Sequence, residues 1–324
     1  MRTRKLGSLP VSAIGLGCMG FSGVYGQADQ QESIATIRQA LDLGITVLDT
    51  ADFLDAGENE RLVGRGIAGR RDEAVVATHT GIRVDSSGFT VDARPEFFAP
   101  ACVASLSRLG VDYIDLYVLA RVDPKVPIED TVGAMADLVA AGKVRHLALS
   151  EASASTIRRA FAVHPIAAVQ TEYSLWERQV EADILPTLTE LGVGFMAYSP
   201  LGRGFLTAKV RAPRDLADAD YRHLDPRFQD GNFQRNQELL EPLQRIASDI
   251  GASPSQVALA WLLSCGDNIV PIPGSKRATH LKENTAAAAL ELSADDIAYL
   301  DQVFAPGVAA GDRYPAASAA QIDS

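Results

Sequence analysis

Cysteine is scarce in this chain of 324 residues. Cys18, Cys102 and Cys265 are far apart, odd in number and without metal-type spacing. That excludes a disulfide framework and a zinc cluster as organising devices, and it fits a reducing cytoplasm. Basic residues are also in deficit, 30 against 41 acidic ones, for a net charge of −11 and a pI near 5.0. Such a balance argues against a nucleic-acid or anionic-membrane partner, and leaves only a local basic pocket to hold a phosphate. Long hydrophobic runs are absent. No window approaches the ~18 apolar residues of a membrane span, and no apolar stretch follows the basic start Met1–Lys5 to make a secretion signal. The expected partner is a small molecule, with a homo-oligomer left open.

What is present is a recurring grammar, in a chain that is 47% hydrophobic and 22% charged. A Gly-Ser turn within residues 2–13 predicts a small hairpin ahead of the main fold. Then come short β-branched and aliphatic runs: 14–17, 45–48, 74–78, 113–119, 144–149, 167–169, 194–197 and 268–272. Helical patterns separate nearly all of them, at 31–43, 58 onwards, 95–109, 130–140, 155–163, 182–191, 236–250 and 255–263. Eight such units without a composition break predict one domain over residues 1–324, an α/β fold of the (β/α)8 TIM-barrel type. A polar insertion from about residue 209 to 235, after the seventh strand, is too long for a simple connection and reads as a binding loop or a partly mobile cover. Its acidic run 215–225 reads as solvated surface. The tail from Ala305, rich in Ala, Gly and Pro, is expected to wrap or fray.

The barrel rule puts function at the carboxyl ends of the strands. Asp49, His79, Ala120, Ser150, Gln170, Tyr198 and Ser275 should therefore gather at one mouth. Asp49 and His79 leave adjacent strands, so an Asp-oriented imidazole is a candidate proton relay, against the alternative that His79 fills space. Asp52, Glu58 and Glu151 are candidate substitute donors, with structural roles as the alternative. Tyr25, Phe53, Trp176, Phe205 and Tyr221 are candidates to line a substrate cleft, against plain packing. Cys18 reads as a small buried residue.

Several segments together resemble the aldo-keto reductase superfamily, in particular its bacterial branch related to potassium-channel β-subunits. They are GLGCMGFSGVYG (15–26), LDTADF (48–53) with GENERLVGR (57–65), YIDLY (113–117), LSEAS (149–153), AVQTEYSLWER (168–178), AYSPLGRGFLT (197–207), and VPIPGSKR (270–277) with LKEN (281–284). The resemblance implies carbonyl reduction by NADPH through a tetrad of Asp, Tyr, Lys and His. Asp49 matches the Asp. Leu54 stands where the Tyr is expected, His79 where the Lys is, and Ala120 where the His is. The cofactor pocket carries over more fully. By resemblance Ser150 and Gln170 hold the nicotinamide carboxamide and Tyr198 stacks on its ring. Ser199, Leu201 and Gly202 line the pyrophosphate; Ser275, Lys276 and Arg277 meet the 2′-phosphate, with help from His280 when it is protonated; Glu283 and Asn284 meet the adenine; Gly20 is a further cofactor candidate. NADP(H) is the implied cofactor, with NAD(H) open because Thr279 and His280 stand where many relatives carry a cation.

Leucine donates no proton, and alanine orients no oxygen. Loss of a general acid is worth about 10²–10⁴ in rate, so the standard chemistry does not transfer with the fold. Three readings follow. One is an NADP(H)-binding oxidoreductase of a small carbonyl or hydroxyl metabolite with a non-standard relay. The second is a non-redox cyclase, dehydratase or isomerase of a small, rather apolar metabolite that uses the remodelled mouth and the Asp49–His79 pair; under either enzymatic reading the candidate substrate residues are Tyr25, Phe53, Leu54, Ala120 and Trp176. The third is a non-catalytic nucleotide-binding subunit or sensor.

Overall fold

A strand that is apolar on both faces needs cover on both, and a parallel sheet closed on itself inside a ring of helices supplies it. The computed structural model, which describes residues 1–85, 88–229 and 231–323, has this architecture. Strands β1 (Thr3–Leu6) and β2 (Leu9–Ser12) form the antiparallel N-terminal hairpin. The main sheet follows with β3 (Leu16–Gly17), β4 (Val47–Ala51) and β5 (Val75–Thr80). A second hairpin, β6 (Ile82–Asp85) and β7 (Gly88–Val91), rises directly from β5. The sheet then resumes with β8 (Ile114–Leu119), β9 (Val144–Ser150), β10 (Ile166–Glu172), β11 (Gly194–Tyr198) and β12 (Ile269–Pro271). Its eight strands are all parallel, in the order β12-β11-β10-β9-β8-β5-β4-β3.

A parallel bridge between Gly17 and Gly274 joins the outermost strands and closes the (β/α)8 barrel. Glycine is required at this seam because the backbones approach closely: a Cβ on Gly17 would lie 2.8 Å from the Ile272 carbonyl oxygen. Inside the wall, Val47, Ala77, Leu116, Val118, Ala148, Ala168, Met196, Val270 and Ile272 form one buried cluster. Leu6 and Val11 of the N-terminal hairpin join it, so the hairpin plugs the amino-terminal end of the barrel.

The helices are α1 (Gln30–Asp42), α2 (Glu58–Ile67), α3 (Pro95–Leu109), α4 (Ile128–Ala140), α5 (Ala154–Val163) and α6 (Ile184–Leu191). After the long loop come α7 (Asn232–Gln237), α8 (Leu240–Asp249), α9 (Pro254–Ser264), α10 (Ala278–Ala286), α11 (Ala294–Val303) and α12 (Ala316–Ala319). The predicted helix 95–109 is matched at both ends, with Pro95 in its first turn and Gly110 left-handed at its end. The single helix expected over 236–250 is instead two, α7 and α8. Among the described residues, no helix is long and apolar enough to cross a membrane.

Strand alternation sorts the residues beyond β4. His79 faces the axis, whereas Thr80 faces the helices and donates to Asp52 Oδ2 at 2.6 Å. The other Asp52 oxygen is buried and, among the described residues, has no partner. Burial, with the neighbouring Glu60 adding to it, pushes the Asp52 carboxyl up to about 7.

Two stability predictions follow from this packing. Gly17→Ala should cost ~1–3 kcal/mol by overpacking the seam, read from urea unfolding. For Asp52 the folded-state value lies above the ordinary 3.8, so the folded state binds the proton more tightly and stability falls as pH rises through the window from about 4 to about 7. The neutral isostere Asp52→Asn should flatten that slope, and its advantage over the parent protein in urea midpoint should be larger at about pH 8 than at about pH 5.

Candidate active site

Three barrel strands place three polar side chains on the axis at the carboxyl end. Asp49 extends from β4, His79 from β5 and Gln170 from β10. One oxygen of Asp49, Oδ1, accepts from His79 Nε2 at 3.0 Å and from Gln170 Nε2 at 2.8 Å. An ionised carboxylate only accepts, so His79 carries its hydrogen on Nε2 and presents Nδ1 as an acceptor. The imidazole is buried at 7% exposure, which protects such a relay from bulk water. Ala120 lies on the same side of the wall, buried, its amide bound to the Thr80 carbonyl.

The segment that should carry the tetrad tyrosine is turned sharply. Leu54 is followed by Asp55 (φ 49°), Ala56 (φ 50°) and Gly57 (φ 86°), three left-handed residues in a row. Two of them are not glycine, a strained arrangement of the kind that accumulates at functional sites. Phe53 and Leu54 are half-buried, and Phe89 of the β6–β7 hairpin sets its ring edge against Phe53 at 6.3 Å. This hairpin was not foreseen from the sequence. Its exposed Phe89 and Val84 give the mouth an apolar rim beside Leu54.

Most of the predicted cofactor residues lie around the ends of β9, β11 and β12, with Gln170 on β10 and Gly20 in the turn after β3. Glu151 (φ 54°) and Ser199 (φ 46°) are again left-handed non-glycine residues. Gly202 sits so close to the indole of Trp176 that a Cβ would approach within 2.7 Å. Trp176 itself is buried and stacks at 4.0 Å on Phe205 of the Leu201–Thr207 turn, which anchors that turn. Helix α10 starts after Arg277 and, among the described residues, no side chain caps its first turn. Ser275 is buried and accepts from Asn284 at 3.0 Å. Lys276 extends its ammonium to the carbonyls of Tyr25, Gly26 and Gln27 at 2.7, 3.1 and 3.3 Å. It thereby ties the glycine-rich loop containing Gly20 and Tyr25 to the turn after β12. Burial lowers the His280 imidazole, with Lys209 adding to the effect, and Lys209 pairs with Glu283 at 3.1 Å.

A charged cluster fills the mouth beside Tyr198. The Tyr198 hydroxyl donates to Glu151 Oε1 at 2.9 Å and accepts from Arg313 Nη2 at 2.7 Å; the Tyr314 hydroxyl is its third partner. Arg313 pairs with Glu151 and, at 3.0 Å, with Glu172. Arg203 bridges Glu172, at 2.7 Å, and Asp225. Burial acts most strongly on Glu172, yet Arg203 and Arg313 hold its carboxyl below the usual range. Burial and Glu151 push the Tyr198 phenol well above its ordinary value, so it stays neutral. In the acidic run, Asp215 and Asp218 are exposed as expected, whereas Asp220 and Asp225 are buried, paired with Arg222 and Arg203. Tyr25 is half-buried with Arg222 over its ring at 5.4 Å, and Tyr221 opens the short turn that follows Asp220. Cys18 is buried, as expected. Glu58 begins α2 and pairs with Arg61 at its surface.

Arg313, Tyr314, Arg203 and Glu172 were missed by sequence reasoning. The one available signal was an Arg-Tyr pair inside a tail otherwise made largely of small residues.

Comparison with known proteins agrees with this geometry. The profile of the aldo/keto reductase family matches residues 13–305. The glycerol dehydrogenase of Gluconobacter oxydans is similar in structure, with a TM-score of 0.86 and 29% identity over 94% of this chain and 95% of that one. So is an aldo-keto reductase of Bacillus halodurans in its holo form, with a TM-score of 0.79 and 27% identity over 94% and 96%. An aldo/keto reductase of Klebsiella pneumoniae in complex with NADP and acetate has a TM-score of 0.75 and 28% identity over 96% and 97%. On its barrel, its strand-end motifs and a match that spans most of its length, the chain belongs to the aldo/keto reductase family.

Proposed function

We propose that the protein is an NADP(H)-dependent oxidoreductase that interconverts a carbonyl and a hydroxyl group on a small, largely apolar metabolite, with His79 in place of a tyrosine as the proton relay. The observation that carries this reading is the shared Asp49 carboxylate, which fixes the His79 tautomer and leaves Nδ1 facing away from its partner. In the oxidative direction Nδ1 takes the hydroxyl proton; in the reductive direction the protonated ring returns it. Asp49 stabilises the charged ring in both. Leu54, Ala120 and Phe53, with the rim at Phe89, keep water from the relay and favour an apolar substrate.

The residues present fit the dinucleotide on two observations. The uncapped start of α10 beside Ser275 and Arg277 offers unpaired N–H groups and a cation to a phosphate. Glu151 Oε2, next to Ser150, is buried and without a partner among the described residues, which suits an amide donor such as a carboxamide. Two related structures are described as complexes with NADP and NADPH. When bound, the cofactor supplies or accepts the hydride; Ser150, Gln170 and Tyr198 would hold its nicotinamide end, and Ser199, Leu201 and Gly202 its pyrophosphate. NAD(H) is the weaker alternative. It is favoured only by the engagement of Lys276 with loop carbonyls and by the lowered His280, which leave Arg277 as the main cation for a 2′-phosphate.

The test is a fluorescence titration with NADPH, followed by single-turnover oxidation with a panel of aldehydes and ketones and the reverse reaction with alcohols. Binding with turnover on an apolar member of the panel is expected. Tight binding with none in either direction would move the protein to the non-redox or non-catalytic readings. In addition, Leu54→Tyr, His79→Lys and Ala120→His introduced together should raise reduction of simple aldehydes by about 10²-fold or more, since they supply a general acid and an oxyanion partner. No gain with cofactor bound would show that the mouth has been reshaped beyond these positions.

A further inference from the structure

The C-terminal segment crosses the barrel mouth, fastened on both sides of it. At its start Asn236 bonds both the amide and the carbonyl of Ala310, at 2.7 and 2.9 Å, and Arg227 reaches the Gly311 carbonyl at 3.3 Å. Near its end Asp323 Oδ2 accepts from the amide and the hydroxyl of Ser153, both at 2.9 Å, where α5 begins. Between these anchors lie Arg313 and Tyr314. We propose that Arg313 is a positioning residue that fixes the Tyr198 ring as one wall of the cofactor pocket, so that segment 310–323 is a working part of the site. The proposal rests on Tyr198 being the platform for the nicotinamide ring, as read above.

A tyrosine hydroxyl has one hydrogen to give and two lone pairs. At Tyr198 the hydrogen goes to Glu151, one lone pair takes Arg313, and Tyr314 occupies the remaining place. The hydroxyl is saturated, and two of its three partners come from the tail. Electrostatics points the same way. Glu151 and Glu172 carry side chains that are 1% and 2% exposed, on neighbouring strand ends. Glu172 has a second cation in Arg203, but among the described residues Glu151 pairs with no cation other than Arg313. Removing Arg313 leaves Glu151 buried without a cation against the Tyr198 hydroxyl, a cost that is relieved by moving the ring or the carboxylate or by taking up a proton, and each of these disturbs the Tyr198–Glu151 hydrogen bond. Arg203 steadies the tail in turn, bonding the Arg313 carbonyl at 3.1 Å and lying 4.8 Å from the Tyr314 ring centre.

The experiment compares two probes on four proteins: the parent, Arg313→Ala, Tyr198→Phe and the double variant. NADPH contains the nicotinamide; adenosine 2′,5′-bisphosphate lacks it and reads the far half of the site. The proposal expects Arg313→Ala to raise the NADPH dissociation constant about tenfold or more, to leave the bisphosphate affinity within about twofold, and to add little once Tyr198→Phe has removed the hydroxyl. Equal weakening of both probes would mean that Arg313 supports the fold generally, and fully additive effects would mean that it does not act through Tyr198; either result overturns the proposal. Should Arg313→Ala not fold, Arg313→Lys carries the same test. A single ammonium cannot span both carboxylates and the phenol, so several-fold weaker NADPH binding is expected and parent-like binding contradicts the proposal. If the parent protein binds the bisphosphate but not NADPH, the cofactor reading itself fails, a result distinct from a parent that binds both and a variant that does not differ.

Discussion

One carboxylate oxygen organises the centre of this molecule. Asp49 Oδ1 receives a hydrogen from His79 and another from Gln170, residues that are 30 and 121 positions away along the chain. They meet because a closed parallel barrel turns alternate residues of every strand to one axis, and because the glycine seam at Gly17 and Gly274 lets the last strand reach the first. Around that axis the chemistry divides. On the β4–β8 side the walls around His79 are Leu54, Phe53 and Ala120, none of which can give a proton. On the β9–β11 side stand Glu151, Glu172, Arg203, Arg313 and the two tyrosines.

The second side explains how an acidic protein tolerates so many buried carboxylates. Glu151, Glu172, Glu177 and Asp225 each lie within salt-bridge distance of an arginine contributed by the loop after β11 or by the tail. Buried pairs of this kind contribute little net stability compared with an apolar core, and breaking one is costly. They act instead as a registry, holding a long polar loop and a small-residue tail in a single arrangement over the mouth. The residues that the loop brings in thereby become parts of the site.

Much of this was legible in the sequence, for definite reasons. The barrel strands announced themselves as short runs of Val, Ile, Leu and Ala because both faces are buried, and helix 95–109 because Pro95 and Gly110 punctuate it. The meeting of Asp49 with His79 followed from adjacent strands and matching ends. Other features were silent. The β6–β7 hairpin has an exposed, mixed pattern that resembles a loop. Asp220 and Asp225 looked solvated because an acidic run carries no sign of the arginines that bury it. Arg313 and Tyr314 find partners more than a hundred residues away, and no local rule assigns a tail of Ala, Gly and Pro to a barrel mouth.

The central claim is that His79, held by Asp49, moves the proton that a tyrosine would otherwise move. The most direct measurement is single-turnover hydride transfer in His79→Gln, which keeps a polar side chain near Asp49 but cannot cycle a proton. The account predicts a fall in the transfer rate of about 10²–10⁴-fold with the NADPH dissociation constant unchanged. A His79→Gln protein that transfers hydride at the parent rate would contradict it.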